Sequence, residues 1–568
     1  MTVALLSEIK LPQREVHGLQ AALFPLHRQI DGRYQDLPWP AEMRKIGVFT
    51  ELKGGLGDVS AAAKAIRIMQ EFCSDLDSID WVTRGLDDNK IAEGFLSGCK
   101  NLSKVKIRHW QSESSEGGPL DFLLTGPVSL SWKSQYLKGR IIQREVHGPI
   151  FNFEESANFP GSELGEPEEL RSFNPGTVQD TVKSAPKTMD VKELYQSVHL
   201  ELFPSAVSGN GCFGHLAMGL LPGSGVLLDR GLLEAPLSRD YCCPRYLRQI
   251  KDAELQKDIL QSMNVSDEQS EPDYAQYSFN FGYAHEIASK EKFIDCIAIH
   301  EKSKHVTIVL NYKNKDAPDV EGRIFKDSVF TPGRLKFLKE HGYGTVAFKT
   351  KGQKQTFLQT DEHSSARCLT VLVYPSFSAD DMRQMQLAAE RLLATGDNSA
   401  IEAWCARCRL YLYETWPHKK VFLQQQMNVA KEISPSLSRL LCLFGGDDKS
   451  SILSKEEMIE VEQLLNDPEL STATLQLCKK ITTSYSFSEV LEGALKRSAW
   501  HHCIPDLARV EAESFDGDFC SGLIEYLKDS ETSGDAPEKT LRVMTLRDLD
   551  KRVHEAVWQC INIKVAQV

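Results

Sequence analysis

KIGVFTELKGGLGDVSAAAKAIRIMQEF, residues 45–72, is the stretch on which the fold turns. Its first part, Lys45–Thr50, is a short apolar run with the β-branched and aromatic residues that suit a buried strand. Gly54, Gly55 and Gly57 make a turn. From Val59 to Phe72 apolar residues return at helical spacing, with Ala62, Ile66 and Met69 on one face. A second mostly apolar run, Ile79–Val82, completes the series strand, glycine loop, helix, strand: one βαβ unit. A strand that ends in glycines and feeds a helix offers an anion site, because its backbone amides can be approached closely and the helix N-terminus carries partial positive charge. Asp58 falls in the first turn of that helix. It is a candidate general base toward an acceptor hydroxyl or nitrogen, with simple helix capping as the alternative. Lys53 can contact a phosphate or remain a solvated surface lysine. The loop is neither a Walker A motif nor a G-x-G-x-x-G fingerprint, so simple ATP or NAD binding is not indicated.

Outward from this unit, the pattern to about Asn264 is less regular. Strands are expected at Lys104–Trp110, Leu120–Leu124 and Val198–Phe203. Glu154–Lys187, rich in polar residues, proline and glycine, reads as a long surface loop. The polar stretch Asn264–Gln276 reads as a linker and the main domain boundary. After it, Phe279–Tyr283 is a strand end or loop, Ile287–His300 a helix, Val306–Asn311 a buried strand and Arg334–His341 a short helix. Cys368–Tyr374 is a strand, Ala379–Leu393 a helix, a further helix runs from Ala400, and Leu410–Tyr413 is a strand. Alternating β and α elements predict a second doubly wound domain. The rest, Val421–Val568, reads as mostly helical. The expected division is an N-terminal extension (1–40), a Rossmann-like domain with a large insertion (41–270), a second Rossmann-like domain (276–445) and a helical C-terminal region (446–568).

The second domain has its own helix-opening loop, Thr395-Gly396-Asp397-Asn398-Ser399. Gly396 permits the turn, Asn398 and Ser399 can cap, and the first-turn amides can hold a diphosphate. Asp397 can accept hydrogen bonds from ribose hydroxyls. A capped surface helix without a ligand is the alternative. Downstream, Tyr411–Lys419 places Glu414, Thr415, Trp416, Pro417, His418 and Lys419 at a strand's carboxyl end, where open α/β sheets bind ligands. Phe377, after the strand ending at Tyr374, can stack on a nucleobase or pack in the core. Ser208–His215 is a glycine-rich turn able to line an acceptor site, and Gly445–Asp448 is a solvated acidic turn.

Composition narrows the classes. The chain has 568 residues, 41% hydrophobic and 26% charged, with a formal charge of −13. No long basic run is present, which argues against broad binding to nucleic-acid phosphates. Met1–Leu11 lacks the basic and long apolar regions of a secretory signal, and no stretch approaches a membrane span of roughly 20 apolar residues. The fourteen cysteines are scattered. Cys405 and Cys408 form the one CxxC and find no zinc-completing partners at ligand spacing, so reduced thiols in a cytoplasmic protein are expected, with non-classical secretion as the other route.

Gly54-Gly55-Leu56-Gly57-Asp58-Val59 resembles the G-G-L-G-D-V loop of glycogen and starch synthases, which are GT-B glycosyltransferases. The order of motifs also resembles that of the protein-arginine rhamnosyltransferases that modify bacterial elongation factor P. Here it runs Gly54–Asp58, then Phe281-Gly282-Tyr283, then Gly396-Asp397-Asn398-Ser399, then Tyr413–His418. The family's first aspartate is Gly54 in this chain, and its G-E-D-S is G-D-N-S.

These resemblances imply two Rossmann-like α/β domains facing a cleft, with Asp58 as catalytic carboxylate. Together with the loop and strand-end readings above, the expected donor site includes Lys53, Gly55, Gly57, Tyr283, Phe377, Gly396, Asp397, Asn398, Ser399 and Glu414. Asp397 would sit at the ribose, Asn398 and Ser399 at the diphosphate, and Tyr283 near the donor. The implied activity is metal-independent transfer from a nucleotide-diphospho-sugar, a co-substrate rather than a cofactor, to an acceptor that can be a protein side chain. A non-catalytic scaffold of the same fold is the competing expectation. A phosphotransferase or nucleotide hydrolase is disfavoured by the missing Walker lysine and metal carboxylates.

Overall fold

A computed structural model of the chain describes residues 32, 34–51, 57–73, 76–84, 89–96, 102–109, 119–127, 146–154, 205–207, 213–220, 224–235, 244–265, 275–312, 318–352, 356–359, 367–416, 419–445, 453–504 and 507. The elements run β1 (Lys45–Glu51), α1 (Gly57–Phe72), β2 (Ser78–Arg84), α2 (Asn89–Phe95), β3 (Val105–His109), β4 (Phe122–Thr125), β5 (Ile150–Glu154), β6 (Ser205–Val207) and β7 (Phe213–Ala217). Then come α3 (Arg230–Leu233), α4 (Pro244–Leu247), α5 (Ala253–Ser262), β8 (Tyr277–Gly282), α6 (Ile287–His300), β9 (His305–Asn311), α7 (Pro318–Val329), α8 (Pro332–Glu340), β10 (Tyr343–Thr350) and β11 (Thr356–Gln359). β12 (Arg367–Tyr374), α9 (Ala379–Ala388), β13 (Arg391–Thr395), α10 (Gly396–Ala406) and β14 (Leu410–Glu414) follow. Five helices close the described chain: α11 (Lys420–Lys431), α12 (Pro435–Gly445), α13 (Lys455–Leu465), α14 (Leu470–Ser484) and α15 (Phe487–Cys503).

Two compact units result, one formed by Met1–Leu227 with Tyr485–Val568 and the other by Leu228–Ser484. Each is built on a seven-stranded sheet, ordered β3-β2-β1-β4-β5-β7-β6 in the first and β11-β10-β12-β9-β8-β13-β14 in the second. Only β6 and β11, both at sheet edges, pair antiparallel among the named strands. Parallel sheets need cover on both faces, which is why β9, β12 and β13 read as nearly unbroken apolar runs. The fold class is therefore the expected one at the level of its units: two Rossmann-like α/β units, with a mostly helical region after β14.

In the first unit, β1 buries Ile46, Val48 and Phe49 fully. α1 turns Ala62, Ala63, Ile66 and Met69 into the core that holds Ile46 and Val48. Its alanines keep the helix close to the strands. α15 returns to this unit, adding Phe487, Val490, Leu491, Ala494, Leu495 and Ala499 to that cluster. Residues from 34 to 39 are fastened to α15 by polar contacts. Lys496 Nζ donates to the Gln35 carbonyl at 2.7 Å, Trp500 Nε1 to the Pro38 carbonyl at 3.0 Å, and Tyr34 Oη lies 3.0 Å from His501 Nε2.

In the second unit, the sheet's amino-terminal edge is sealed by Arg391, the first residue of β13, which is almost wholly buried. Its guanidinium donates to Glu301 at 2.9 Å, Ser278 Oγ at 2.8 Å, Asn280 Oδ1 at 3.2 Å and His300 Nδ1 at 2.9 Å, and Glu390 lies 3.5 Å away. Burial works against the Glu301 charge. The Arg391 guanidinium and the amides of Ser303 and Lys304 outweigh it and hold the carboxyl down at about 2. Burial, with Arg391, pushes His300 down to about 3, so its ring is the neutral acceptor this geometry requires. A carboxyl whose folded value lies below its unfolded one stabilises the fold above the unfolded value and ceases to do so as pH falls through the folded value. The cost of Glu301→Gln is therefore expected to shrink as pH is lowered from above 4.5 toward 2. Urea unfolding across a pH series measures it; a cost that stays constant over that interval would refute the assignment.

Some elements differ from expectation. The helix expected over Ala379–Leu393 ends at Ala388, and Arg391–Thr395 is strand β13, buried at every position. The apolar residues of Met385–Leu393 suit helical spacing, and no glycine or proline interrupts them. Burial between β8 and β14 selects the strand. Phe279–Tyr283 belongs to a full strand, β8, which ends at Gly282. β10 and α7 carry no expectation from sequence. Val198–Phe203 and Glu154–Lys187 lie outside the described residues, apart from Glu154, which ends β5.

Candidate functional site

The second unit's strand order fixes where a ligand can sit. From β8 the chain crosses through α6 to β9 on one side, whereas β13 and β14 lie on the other. The order reverses between β8 and β13, and the crevice outside the carboxyl ends of such strands is the binding position of open α/β sheets. Three segments emerge there: Tyr283–Glu286 after β8, Gly396–Ser399 after β13, and Thr415–Trp416 after β14.

They are joined by specific contacts. Glu414, the last residue of β14 and almost fully buried, accepts the His285 amide at Oε2 and the Glu286 amide at Oε1, each at 2.8 Å. Its carboxylate thus caps the amino terminus of α6, whose own N-cap Glu286 makes no side-chain cap. A carboxylate there also faces the positive end of the helix. Asn311 at the end of β9 accepts the Ala284 amide at 3.0 Å and fixes the same turn. Trp416 donates its indole N–H to Thr395 Oγ1 at 3.0 Å, and its ring meets His285 edge-on, centroids 5.2 Å apart. His285 in turn meets Tyr283 at 6.0 Å. Burial, with the nearby Glu402 and Glu414 charges, pushes the Tyr283 phenol up, so it is a neutral donor there.

Gly396–Ser399 is the first turn of α10, which starts earlier than the expected Ala400, and the cap position falls on Thr395 rather than on Asn398 or Ser399. Gly396 has φ +73°, the left-handed region that glycine adopts without strain, and a side chain there would meet nothing within 4 Å. Thr395 is the N-cap but makes no side-chain cap, since its hydroxyl accepts from Trp416. Asp397 is buried and pairs with Lys419 Nζ at 3.0 Å, with side-chain exposures of 5% and 6%. Asn398 is half-buried and donates to Glu402 at 2.7 Å, one turn along α10, while Gln386 donates to the other Glu402 oxygen at 3.1 Å. Ser399 and Tyr283 are half-buried at the rim. Phe377, also half-buried, packs edge-on against Phe281 at 5.6 Å and on Tyr374 at 6.5 Å. The structure thus gathers Tyr283, Gly396, Asp397 and Glu414 with His285, Trp416 and Lys419. It gives Glu414 a capping role and Asp397 a lysine partner.

In the first unit the order reverses between β1 and β4, the strands on either side of the corresponding crevice. Gly57 begins α1 and Asp58 stands half-buried in its first turn. Lys53 and Gly55 lie outside the described residues, as do Pro417 and His418.

The Glu414–Lys419 segment is legible in sequence as a strand end, with neither Trp416 nor Lys419 distinguished within it. Residue order marks Thr395 only as the start of a loop and Asn311 only as a strand residue. Polar residues in the last position of otherwise apolar strands were the available signal for Asn311, Thr395 and Glu414. Cys405 and Cys408 are buried free thiols. Among the described residues, no group of three or more His, Cys, Asp or Glu side chains could hold a metal, and no helix is long and apolar enough to cross a membrane.

A family described as "Protein of unknown function (DUF562)" matches residues 289–435, all within the second unit. No curated protein matches the sequence. Similar solved structures include a glycosyltransferase from Rickettsia africae ESF-5, at 8% identity over 80% of this chain and 98% of that one, TM-score 0.39. Medicago truncatula UGT71G1 complexed with UDP-glucose is 9% identical over 80% of this chain and 98% of that one, TM-score 0.40. The UDP-GlcNAc 2-epimerase from Neisseria meningitidis bound to UDP-GlcNAc is 11% identical over 80% and 99%, TM-score 0.36.

Proposed function

We propose that this chain is a glycosyltransferase of the GT-B class, whose second unit holds a nucleotide-diphospho-sugar at the carboxyl ends of β8, β13 and β14. The observation that carries the reading is the Gly396 turn at the strand-order reversal. It is an open left-handed glycine at the start of α10, and the N-cap hydroxyl is turned away from the helix amides. Amides at a helix start stabilise the charge that develops on a departing diphosphate, a contribution that needs no metal ion. Tyr283, His285 and Trp416 supply flat faces beside it for a base or sugar. In the first unit Asp58 is the group that takes the acceptor's proton. A protein side chain is one acceptor class to test.

A screen of UDP-, GDP-, ADP-, CDP- and dTDP-sugars, reading nucleoside diphosphate release and thermal shift together, tests this. Stabilisation by one nucleotide, with release accelerated by an acceptor, is expected. A chain that no nucleotide stabilises, and that releases none, is the scaffold of the competing reading.

A further inference from the structure

Three carboxylates stand around the Gly396 turn, and each is balanced differently. Glu414 has two backbone amides, and Glu402 has the side-chain amides of Asn398 and Gln386. Asp397 has a full cation, Lys419, at 3.0 Å. This pair is almost wholly buried, whereas Gly396, Asn398, Ser399 and Trp416, its neighbours along the chain, are half-exposed. A buried ion pair is weak support for a fold, because the loss of hydration offsets most of the attraction between the charges. It does hold a charge in one place. Lys419 stands just before α11, its amide donating to the Trp416 carbonyl at 2.7 Å. That turn is also tied to Thr395 through the Trp416 indole. The lysine head is therefore held at Asp397, next in sequence to Gly396, where an added side chain would meet nothing within 4 Å.

Resting on the donor-site reading above, we propose that Lys419 is the cation that meets the donor's diphosphate. Asp397 is its resting counter-ion, a positioning residue rather than a ribose-binding group. An ammonium has three donors, so one can stay on Asp397 while others turn to phosphate oxygens. A phosphate anion and the Asp397 carboxylate then compete for one positive charge, and they repel each other.

The two roles of Asp397 predict opposite signs. If it positions Lys419, Asp397→Asn removes the competing charge, and diphosphate affinity rises about tenfold. If it binds ribose, the same change weakens nucleoside diphosphate and monophosphate alike. Lys419→Met is expected to lower diphosphate affinity about tenfold or more, and Lys419→Arg to retain most of it.

The readout is the ratio of diphosphate to monophosphate affinity. It is measured by calorimetry on the full chain with the member of the UDP, GDP, ADP, CDP and dTDP set that binds wild type. The proposal expects this ratio to rise in Asp397→Asn and to collapse in Lys419→Met. A purely structural role shifts both affinities together and leaves the ratio unchanged, which would overturn it, as would weaker diphosphate binding by Asp397→Asn. Should wild type bind none of the nucleotides, the donor-site reading falls and takes this assignment with it. Binding by wild type with indifferent variants would remove only the assignment.

Discussion

Arg391→Met is expected to lower the stability of the second unit by about 3–5 kcal/mol, the usual consequence of stripping one partner from a buried charge pair. The guanidinium meets Glu301, Ser278, Asn280 and His300, and Glu390 lies beside it. Methionine fills a similar volume and satisfies none of them. Glu390 keeps Lys304 at 2.8 Å, and Glu301 keeps the amides of Ser303 and Lys304, so the loss stops short of two fully abandoned carboxylates. Whole domains are stable by only about 5–15 kcal/mol, so such a change brings the unit near its threshold. Guanidinium unfolding of wild type and variant measures it. Adding Glu301→Gln to the variant should recover part of the loss, because the orphaned charge is then gone. A single-variant loss below about 1 kcal/mol would show that the network holds nothing together.

The second large effect concerns the first unit. Asp58→Asn is expected to reduce sugar transfer by a factor of about 10²–10⁴ while leaving nucleoside diphosphate affinity unchanged, the signature of a lost general base. Asparagine keeps the size, and much of the capping ability, of aspartate at a helix start. A capping role would therefore leave both rate and stability nearly intact. Steady-state rates at saturating donor, paired with calorimetric nucleotide binding, separate the two. Transfer at near wild-type rate would assign Asp58 to α1 alone.

Much of the architecture was legible in residue order because its causes are local. β1, α1 and β2 follow from one apolar strand, a glycine turn and a helical face. α6 was read at its true bounds, since Ile287–His300 carries continuous helix-compatible residues and ends before the strand-like HVTIVLN. Gly396 was recognised as a turn glycine, and its left-handed backbone is the reason glycine suits the position. β13 was not legible. RLLAT continues a helical pattern, and only its place between two other strands makes an extended conformation the better one. The return of α15 to the first unit was equally hidden, because an amphipathic helix does not say which core its apolar face enters.

The candidate site divides in the same way. The sequence by itself determined that two helices begin at glycine loops after strands, Gly54–Gly57 before α1 and Gly396 before α10, and that polar residues end β14. Only the tertiary structure decided what those residues meet. Glu414 caps α6, Trp416 draws Thr395 off its own helix, and Lys419 holds Asp397. Each of these pairs joins ends of strands whose order is set by crossovers elsewhere in the sheet. Propensity and periodicity act over a few residues, whereas hydrogen bonds and charge pairs act across a few ångströms. Strand order is what converts one distance into the other.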